Sequence, residues 1–221
     1  IRLNAPVSKL VLEGRKVTGV HLENGEGFSA KAVFINADFA YAMSNLVDGP
    51  VLRKYSPQKL LKKQYSCSTF MLYLGVNRTY DLTHHTIYFA RSYRDNVTDI
   101  FEHKRLSKDI SFYIQNACVT DPTLAPKGKS TLYVLVPVPN NFSGIDWPHE
   151  KARFKDFVIT KMIERAGLND LRDAIEVEKV ITPYEWEHEY NVYKAAEFNL
   201  AHTIPQMLYF RPHNEFEELG N

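Results

Sequence analysis

The feature that most constrains the fold is a nearly unbroken run of apolar and aromatic residues from Ser66 to Val76. A strand with one face in water would carry a polar residue at every second position, and this run does not. A continuous apolar run of this kind is typical of a strand that is covered on both faces. The sequence therefore predicts a central, buried β-strand at Ser66 to Val76.

Turn and capping signals define the elements that precede this strand. Residues Ile1 to Asn36 have the pattern of a β-meander, and the Asn24-Gly25 pair in it is a strong hairpin signal. Ala30 to Ile35 is predicted to form a short buried strand. A helix is predicted to begin at Asp38, whose carboxylate can cap the first turn, and to end at Asp48-Gly49-Pro50.

The rest of the chain mixes strands with one long helix. That helix is predicted from about Pro148 to Ala166, with Asp146 at its start and Gly167 at its end. Strands and helices in irregular order, without an internal repeat, predict a mixed α+β fold in which helices flank a central sheet. The remaining predicted strands are His85 to Ala90, Ser111 to Ala117, Thr131 to Val138 and Ile175 to Thr182.

The charge balance argues against a nucleic-acid partner. Lys and Arg total 27 and Asp and Glu total 26, so the net charge is +1. The basic residues form no long run, and a nucleic-acid-binding surface needs such a concentration of positive charge.

No stretch approaches the roughly 18 apolar residues of a transmembrane helix. The residues around Leu46 to Leu61 are a candidate for contact with a bilayer surface.

Motifs that would reveal a reaction are missing from the sequence. None of the 10 glycines forms a G-x-G-x-x-G or Walker loop. His84-His85 is predicted to lie on a strand, where neighbouring side chains point to opposite faces, so no metal site is expected. The stretch Glu185 to Glu189 has two readings: an acid/base cluster, or the solvated first turn of a helix.

Aromatic residues are concentrated on the predicted strands. Most of them are expected to lie in the core. If one face of the sheet is uncovered, however, such a surface would suit a long apolar ligand. The aromatic residues in question are Tyr73, Tyr88, Phe89, Phe112, Tyr113 and Tyr133.

Five motifs follow one another along the chain: His84-His85-Thr86-Ile87-Tyr88-Phe89, Thr120-Asp121-Pro122-Thr123-Leu124-Ala125-Pro126-Lys127-Gly128, Tyr133-Val134-Leu135-Val136-Pro137-Val138-Pro139, Thr182-Pro183-Tyr184-Glu185-Trp186 and Phe210-Arg211-Pro212-His213-Asn214. In sequence and in order they resemble motifs of the bacterial and fungal type of phytoene desaturase. The resemblance extends through nearly the whole chain. Five motifs in register are hard to obtain by chance.

The resemblance implies the flavin oxidoreductase architecture that is shared with amine oxidases. It implies a closing part of an FAD-binding, Rossmann-like domain at 1–48, a substrate-binding domain at 49–200 and a return segment at 201–221. The chain begins in strand-like alternation without Met, so both ends are interpreted as cuts. Most of the FAD site would then lie outside this chain, which by itself is expected to be inactive.

Four cofactor-binding positions follow from the resemblance. Val7 would present its backbone to the adenine ring of FAD, and Asn36, Ala37 and Asp38 would lie beside the dinucleotide. The alternatives are a plain strand residue for Val7 and a helix cap that happens to lie nearby for Asn36 and Asp38. No catalytic acid or base is assigned.

One segment departs from the family pattern. The family usually has a Gly-Ser-x-Phe-Gly-like loop after an Asn-x-Tyr element, whereas this chain has Ala195-Ala196-Glu197-Phe198-Asn199. Ala and Asn replace the two glycines. A close approach of this backbone to flavin or polyene is therefore in question.

The implied reaction removes two hydrogens from a C–C single bond of a long isoprenoid, with a hydride passing to flavin and a proton to a base or water. The expected partners are a hydrophobic polyene and, peripherally, a membrane, for a protein located in the cytoplasm. The alternatives within the family are a diapophytoene desaturase, an aldehyde-forming oxidase and a retinoid saturase. The alternative from another class is an isoprenoid-binding module without redox chemistry.

Overall fold

The chain divides into two units of structure. The computed structural model describes residues 1–48, 51–213, 215, 219 and 220. The first unit comprises Ile1–Tyr65, Asn191–Tyr193 and Asn199–Asn221, and the second comprises Ser66–Tyr190 and Lys194–Phe198. The domain limits predicted from the sequence, at 48 and 200, remain a prediction.

Strands and helices alternate irregularly, as an α+β fold requires, and the predicted fold class is confirmed. The strands are β1 (Val7–Glu13), β2 (Lys16–Leu22), β3 (Gly27–Ser29), β4 (Ser68–Val76), β5 (His85–Tyr88), β6 (Phe112–Gln115), β7 (Ser130–Val138) and β8 (Ile175–Ile181). The helices are α1 (Phe39–Asn45), α2 (Pro57–Leu60), α3 (Tyr93–Phe101), α4 (Trp147–Ala166), α5 (Leu171–Ala174) and α6 (Pro183–His188). Short 3-10 helices lie at Ala117–Val119, Pro122–Leu124, Asn141–Ser143, Tyr193–Ala195, Ile204–Gln206 and Leu208–Phe210.

The first unit contains the predicted meander, an antiparallel sheet in the order β1-β2-β3. Gly14 and Gly25 lie in its two turns with φ of 62° and 88°, a conformation that glycine adopts without steric cost. The helix α1 follows, and the Asp38 carboxylate accepts a hydrogen bond of 2.8 Å from the Tyr41 amide, as a cap should. The predicted cap is confirmed. Helix α1 ends at Asn45, while Gly49 and Pro50 of the predicted stop signal lie outside the described residues.

Two sequence predictions in this unit are wrong. The sheet ends with β3 at Ser29, and Ala30 to Ile35 forms no strand; Phe34 is 94% exposed. An apolar run predicts burial, but a strand also needs a partner for its backbone groups, and the run cannot specify one. The candidate bilayer contact fails for a related reason, because its apolar side chains are mostly in the core. The buried ones are Leu46, Val47, Leu52, Tyr55 and Leu60.

The second unit is organised around a five-stranded antiparallel sheet in the order β5-β6-β7-β4-β8. The predicted central strand is confirmed, because β4 lies between β7 and β8. One face of the sheet packs against α4: Phe70 on β4 and Phe154 on α4 have ring centroids 4.9 Å apart. Helix α4 ends at Ala166 and is capped by Gly167, whose φ of 69° suits the predicted cap.

The opposite face of β4 is covered over only part of its length. Thr69 and Met71 are buried on this face, but Tyr73 and Gly75 are partly exposed. The prediction of a strand covered on both faces therefore holds for the first half of β4 and is wrong for the second half. Among the described residues, no helix combines the length and apolar character needed to cross a bilayer.

Candidate functional site

A row of aromatic side chains crosses the partly open face of the five-stranded sheet. Alternate residues of a strand point to the same face, so Tyr73 on β4 shares this face with its direct partner Tyr133 on β7. Tyr113 on β6 and His85 on β5 continue the series through diagonal neighbours. We call Tyr73, Tyr133, Tyr113 and His85 the aromatic row.

The rings of the aromatic row contact one another in sequence. The centroids of Tyr73 and Tyr133 are 5.3 Å apart at an interplanar angle of 80°, and those of Tyr113 and Tyr133 are 6.1 Å apart at 74°. The Nδ1 atom of His85 lies 2.5 Å from the Tyr113 hydroxyl. On β8, Lys179 pairs with Tyr73. Because neighbouring strands are about 4.8 Å apart, the row with Lys179 extends for about 19 Å across the sheet.

The tyrosines of the row are half-buried, so each ring presents part of its surface to solvent. Burial raises the pKa of the Tyr73 and Tyr133 hydroxyls, and both phenols are neutral at physiological pH. Ile87 and Val177 on the same face are 59% and 67% exposed. The result is an aromatic and apolar surface that carries hydroxyl groups, with the charge of Lys179 at its β8 end.

One end of this face is covered by α6. The indole Nε1 of Trp186 donates to the Thr69 carbonyl at 3.1 Å, which fixes α6 against β4. The capping box of α6 is complete, because Glu185 Oε2 accepts from the Thr182 amide at 2.7 Å and the Thr182 hydroxyl oxygen accepts from the Tyr184 amide at 3.1 Å. Lys151 donates to the other oxygen of Glu185 at 2.5 Å.

These contacts distinguish between the two interpretations of the stretch from Glu185 to Glu189, an acid/base cluster or the first turn of a helix. Burial alone would raise the pKa of Glu185, but the hydrogen bonds from Lys151 and Thr182 outweigh it and lower the pKa. A carboxylate that is paired and capping a helix is poorly suited to take up a proton. The structure therefore favours the first-turn interpretation of Glu185 over the acid/base one.

Glu197 is the unusual acid of this face, and the sequence offered no role for it. Its Oε2 accepts from the Thr69 hydroxyl at 2.6 Å, while its Oε1 is buried without a hydrogen-bond partner. Burial raises the pKa of Glu197 to about 7, against the opposing effect of the Thr69 bond. Glu197 also interacts electrostatically with Tyr73 and Tyr133.

The segment that carries Glu197 contains residues with positive φ, a backbone conformation that favours glycine, although it contains no glycine. Ala195 and Asn199, the residues that replace the two family glycines, have φ of 55° and 63°. Lys194 also has a positive φ of 52°. A left-handed conformation costs a residue with a Cβ about 1–2 kcal/mol, so the surrounding structure must hold these residues in place. Backbone conformations that favour glycine therefore occur here at residues that carry a Cβ.

The first unit contains a cavity of about 960 Å³. Asn36 and Ala37, two of the predicted cofactor-binding residues, line it. Its polar lining combines amide, guanidinium, imidazole and carboxylate groups, and most of its other lining residues are apolar. The described lining residues are Leu10, Val17, Val33, Phe34, Ile35, Asn36, Ala37, Phe39, Ala42, Met43, Asn199, Arg211, Pro212, His213, Glu215, Leu219 and Gly220. Asn214, the last residue of the fifth motif, lies outside the described residues.

The other two predicted cofactor residues lie elsewhere in the first unit. Val7 begins β1, where it pairs with Leu22, and it is not among the described lining residues of the cavity. Asp38 accepts from backbone amides at the start of α1 and from Asn199 Nδ2 at 3.3 Å. Burial raises the pKa of Asp38, against these hydrogen bonds. Asp38 thus has a structural role here, and its contact with a cofactor remains a prediction.

The histidine pair differs from its predicted arrangement. The rings of His84 and His85 stack with centroids 4.2 Å apart, so the two side chains do not point to opposite faces. The reason is that β5 begins at His85 and the strand alternation does not extend to His84. His84 Nδ1 lies 2.6 Å from the Thr120 hydroxyl. No group of three or more metal-ligating side chains occurs in the described part of the chain.

Comparison with known proteins confirms the resemblance to carotenoid desaturases. The chain is 52% identical over 221 residues to a 4,4'-diapophytoene desaturase (4,4'-diapolycopene-forming) of a Methylomonas species, covering 100% of this chain and 43% of that protein. It is 39% identical to the all-trans-zeta-carotene desaturase of Myxococcus xanthus, over 96% of this chain and 40% of that one. It is 35% identical to the lycopene-forming phytoene desaturase of Pantoea ananas, over 99% of this chain and 45% of that protein.

The chain spans less than half the length of these relatives. No protein-family model matches it. Among solved structures, an oxidoreductase from Methanosarcina mazei superposes with a TM-score of 0.46 at 17% identity, over 79% of this chain and 36% of that one. That superposition is too weak to assign a function.

Proposed function

We propose that this chain, whose entire length aligns with parts of carotenoid desaturases, is the substrate-binding part of an FAD-dependent enzyme that desaturates a polyene. The reaction removes two hydrogens from a C–C single bond and so extends the conjugation of the substrate. The observation that carries the proposal is the aromatic row. It provides an extended aromatic surface, with the charged Lys179 at its β8 end, on an otherwise well-packed sheet.

The dimensions and chemistry of the aromatic row suit a long unsaturated chain. Three tyrosine rings and one imidazole contact one another along a line, and the aromatic row extends for about 14 Å across four strands. Apolar surface that stays exposed in a folded protein commonly marks a ligand or partner site. Rings held by their own contacts lose little conformational freedom on binding, so they can orient a flexible chain at low entropic cost.

The cavity of the first unit is the proposed location for part of the FAD. Its donors, the Asn36 amide and the Arg211 and His213 side chains, match phosphate and ribose oxygens, and its apolar lining residues match an aromatic ring system. The Glu215 carboxylate in the same lining suits a ribose hydroxyl and not a phosphate. The residues present therefore fit the group. A bound flavin would supply the two-electron oxidation that the desaturation requires. Val7, Ala37 and Asp38 are proposed to contribute through their backbone positions.

The residues of the second unit bind the substrate and limit the access of water to it. Phe70 and the rest of the core face support the sheet from behind, and Trp186 holds α6 over one end of the open face. The hydroxyls of Tyr73 and Tyr133 are neutral in this environment, so neither ring places a charge against an apolar ligand. The ammonium group of Lys179, at the β8 end of the row, donates to the Tyr190 hydroxyl at 3.0 Å. The second unit therefore orients the substrate and surrounds it with groups of low polarity.

The identities of the relatives favour one substrate type. Identity is 52% to the relative named as a diapophytoene desaturase and 39% and 35% to those named for zeta-carotene and phytoene. We therefore place a diapophytoene-type polyene first and a phytoene-type polyene second. The alternative of a binding module without redox chemistry is less favoured, since the relatives are named as desaturases. Because such substrates are insoluble in water, contact with a bilayer surface is part of the proposal.

Substitution of Tyr133, at the centre of the aromatic row, tests the proposal. In the full-length protein supplied with FAD and phytoene or diapophytoene in lipid vesicles, Tyr133→Ala should lower the conversion to conjugated product about tenfold or more. The tyrosine ring contributes about 1.5–3 kcal/mol of binding free energy when the ligand buries it fully, and the Ala variant lacks that contribution. Tyr133→Phe keeps the ring and should remain within about threefold of the wild type. Equal conversion by the Ala variant and the wild type would refute the proposed site.

A further inference from the structure

Glu197 is a buried acid for which the proposed reaction has no role yet. It lies in the short segment Lys194–Phe198, which belongs to the second unit. Its Oε2 is fixed by the Thr69 hydroxyl at 2.6 Å, and Thr69 is on the same face of β4 as Tyr73. The Glu197 carboxyl also lies within electrostatic range of Tyr73 and Tyr133, two members of the aromatic row.

The second oxygen of Glu197 has nothing to stabilise a negative charge. Oε1 is buried and has no hydrogen-bond partner. The titratable groups within electrostatic range of Glu197 are Tyr73 on β4, Tyr133 on β7 and Cys67 before β4; all three are neutral at physiological pH, and burial raises the pKa of each further. Lys179, the charged neighbour of Tyr73 on β8, donates to the Tyr190 hydroxyl at 3.0 Å. Lys194 forms its ion pair with Glu187, at 2.9 Å. An ionised Glu197 is thus supported by one hydroxyl, which is a poor match for a buried charge.

A ligand on the aromatic row would make the ionised form still less favourable. An apolar chain lying on Tyr73 and Tyr133 displaces water from the surface beside Glu197, and the loss of solvation penalises the carboxylate but not the carboxylic acid. By linkage, a ligand that prefers the protonated state of a group must draw protons onto that group when it binds.

We propose that Glu197 is a ligand-linked proton site: the aromatic row binds an apolar chain with the Glu197 carboxyl neutral, and a proton is taken up on binding. This inference rests on the proposed function, because it assumes that the aromatic row is the ligand surface. It makes Glu197 a specificity-determining residue, since a neutral carboxylic acid accepts an apolar neighbour that a carboxylate would exclude.

The sign of the pH dependence follows from the direction of the linkage. Burial raises the pKa of Glu197 in the free protein to about 7, so below that pH the proton is already present and affinity is at its maximum. Above it, each binding event takes up a proton, and the dissociation constant rises by up to tenfold per pH unit. The rise ends at the higher pKa of the bound state.

The test measures the dissociation constant of diphenylhexatriene, an uncharged rod-shaped fluorescent polyene, between pH 5.5 and pH 9. The wild-type chain should bind it at least about tenfold more weakly at pH 9 than at pH 6. Glu197→Gln, which stays neutral, should bind at pH 9 as the wild type does at pH 6. The matched control is Glu102→Gln, an exposed substitution on the C-terminal end of α3, which should follow the wild type.

The other outcomes distinguish failure of this inference from failure of the proposed ligand site. If both the wild type and Glu197→Gln bind with no pH dependence, the inference is overturned while the aromatic row stands as a ligand site. If neither binds at any pH, both the inference and the proposed site are overturned. Should Glu197→Gln fail to fold, Thr69→Val removes the bond that lowers the pKa of Glu197, and the pH at which affinity begins to fall must move upward. An unchanged midpoint would overturn the inference.

Discussion

Replacing Leu72 with Asp is expected to remove roughly 4 kcal/mol or more of unfolding free energy and to leave the chain insoluble. Leu72 is 0% exposed and lies in the core of the second unit, paired with Val134 on β7 and with Val180 on β8. A carboxylate there has no partner, and a domain of ordinary stability has only about 5–15 kcal/mol to lose. Solubility on expression and urea unfolding of any soluble fraction measure the effect.

The matched control for this variant is Thr131→Asp. Thr131 is an exposed residue of β7 on the partly open face, opposite Gly75 of β4. The same charge placed there remains in water and should cost within about 1 kcal/mol, mostly through reduced strand preference. A Leu72→Asp variant that stays soluble and melts near the wild type would contradict the placement of β4 at the centre of the core.

Substitution of Glu197 is expected to change how stability depends on pH. The folded state holds the Glu197 proton up to about pH 7, whereas the unfolded chain releases it near the ordinary pKa of 4.5. Between these values the folded state binds more protons, so stability decreases as pH rises, by about 3 kcal/mol in total. Glu197→Gln lacks this loss. Its stability relative to the wild type should therefore increase from pH 4.5 to pH 7 and then stay constant.

Urea unfolding at pH 5, 6, 7 and 8 checks the expectation for Glu197. The informative quantity is the difference in unfolding free energy between Glu197→Gln and the wild type at each pH, since other titrating groups cancel in it. The exposed variant Glu102→Gln should show the same pH dependence as the wild type. A difference for Glu197→Gln that is equal at pH 5 and pH 8 would mean that the Glu197 carboxyl is not held neutral by burial.

The fold could be predicted from the sequence wherever a local signal was sufficient. The turns at Gly14 and Gly25 and the capped start of α1 follow from residue chemistry within a few positions, and the structure has them. The predicted strand from Ala30 to Ile35 is wrong because an apolar run does not specify which strand would form hydrogen bonds with its backbone. The stacked rings of His84 and His85 were missed because the exact start of a strand decides which side chains alternate.

The candidate site depends on contacts between distant parts of the sequence, and it was accessible only in part. The tyrosines on strands were recognised, together with the possibility of an open face. Which of them form a row depends on the registers of β4, β6 and β7, which no local pattern fixes. Glu197 was visible as a charged residue in the unusual Ala-Ala-Glu-Phe segment. Its environment arises from a bond to Thr69, 128 residues earlier in the chain.

Chemical modification of tyrosine, in the presence and absence of polyene, tests the central claim most directly. Iodination followed by mass spectrometry reports the reactivity of each tyrosine separately. Diphenylhexatriene at pH 6 should protect Tyr113 and Tyr133 of the aromatic row several-fold. Tyr93, which is 56% exposed on α3, should react equally with and without the polyene. Bound polyene that leaves Tyr113 and Tyr133 as reactive as in the free chain would contradict the assignment of the aromatic row as the substrate surface.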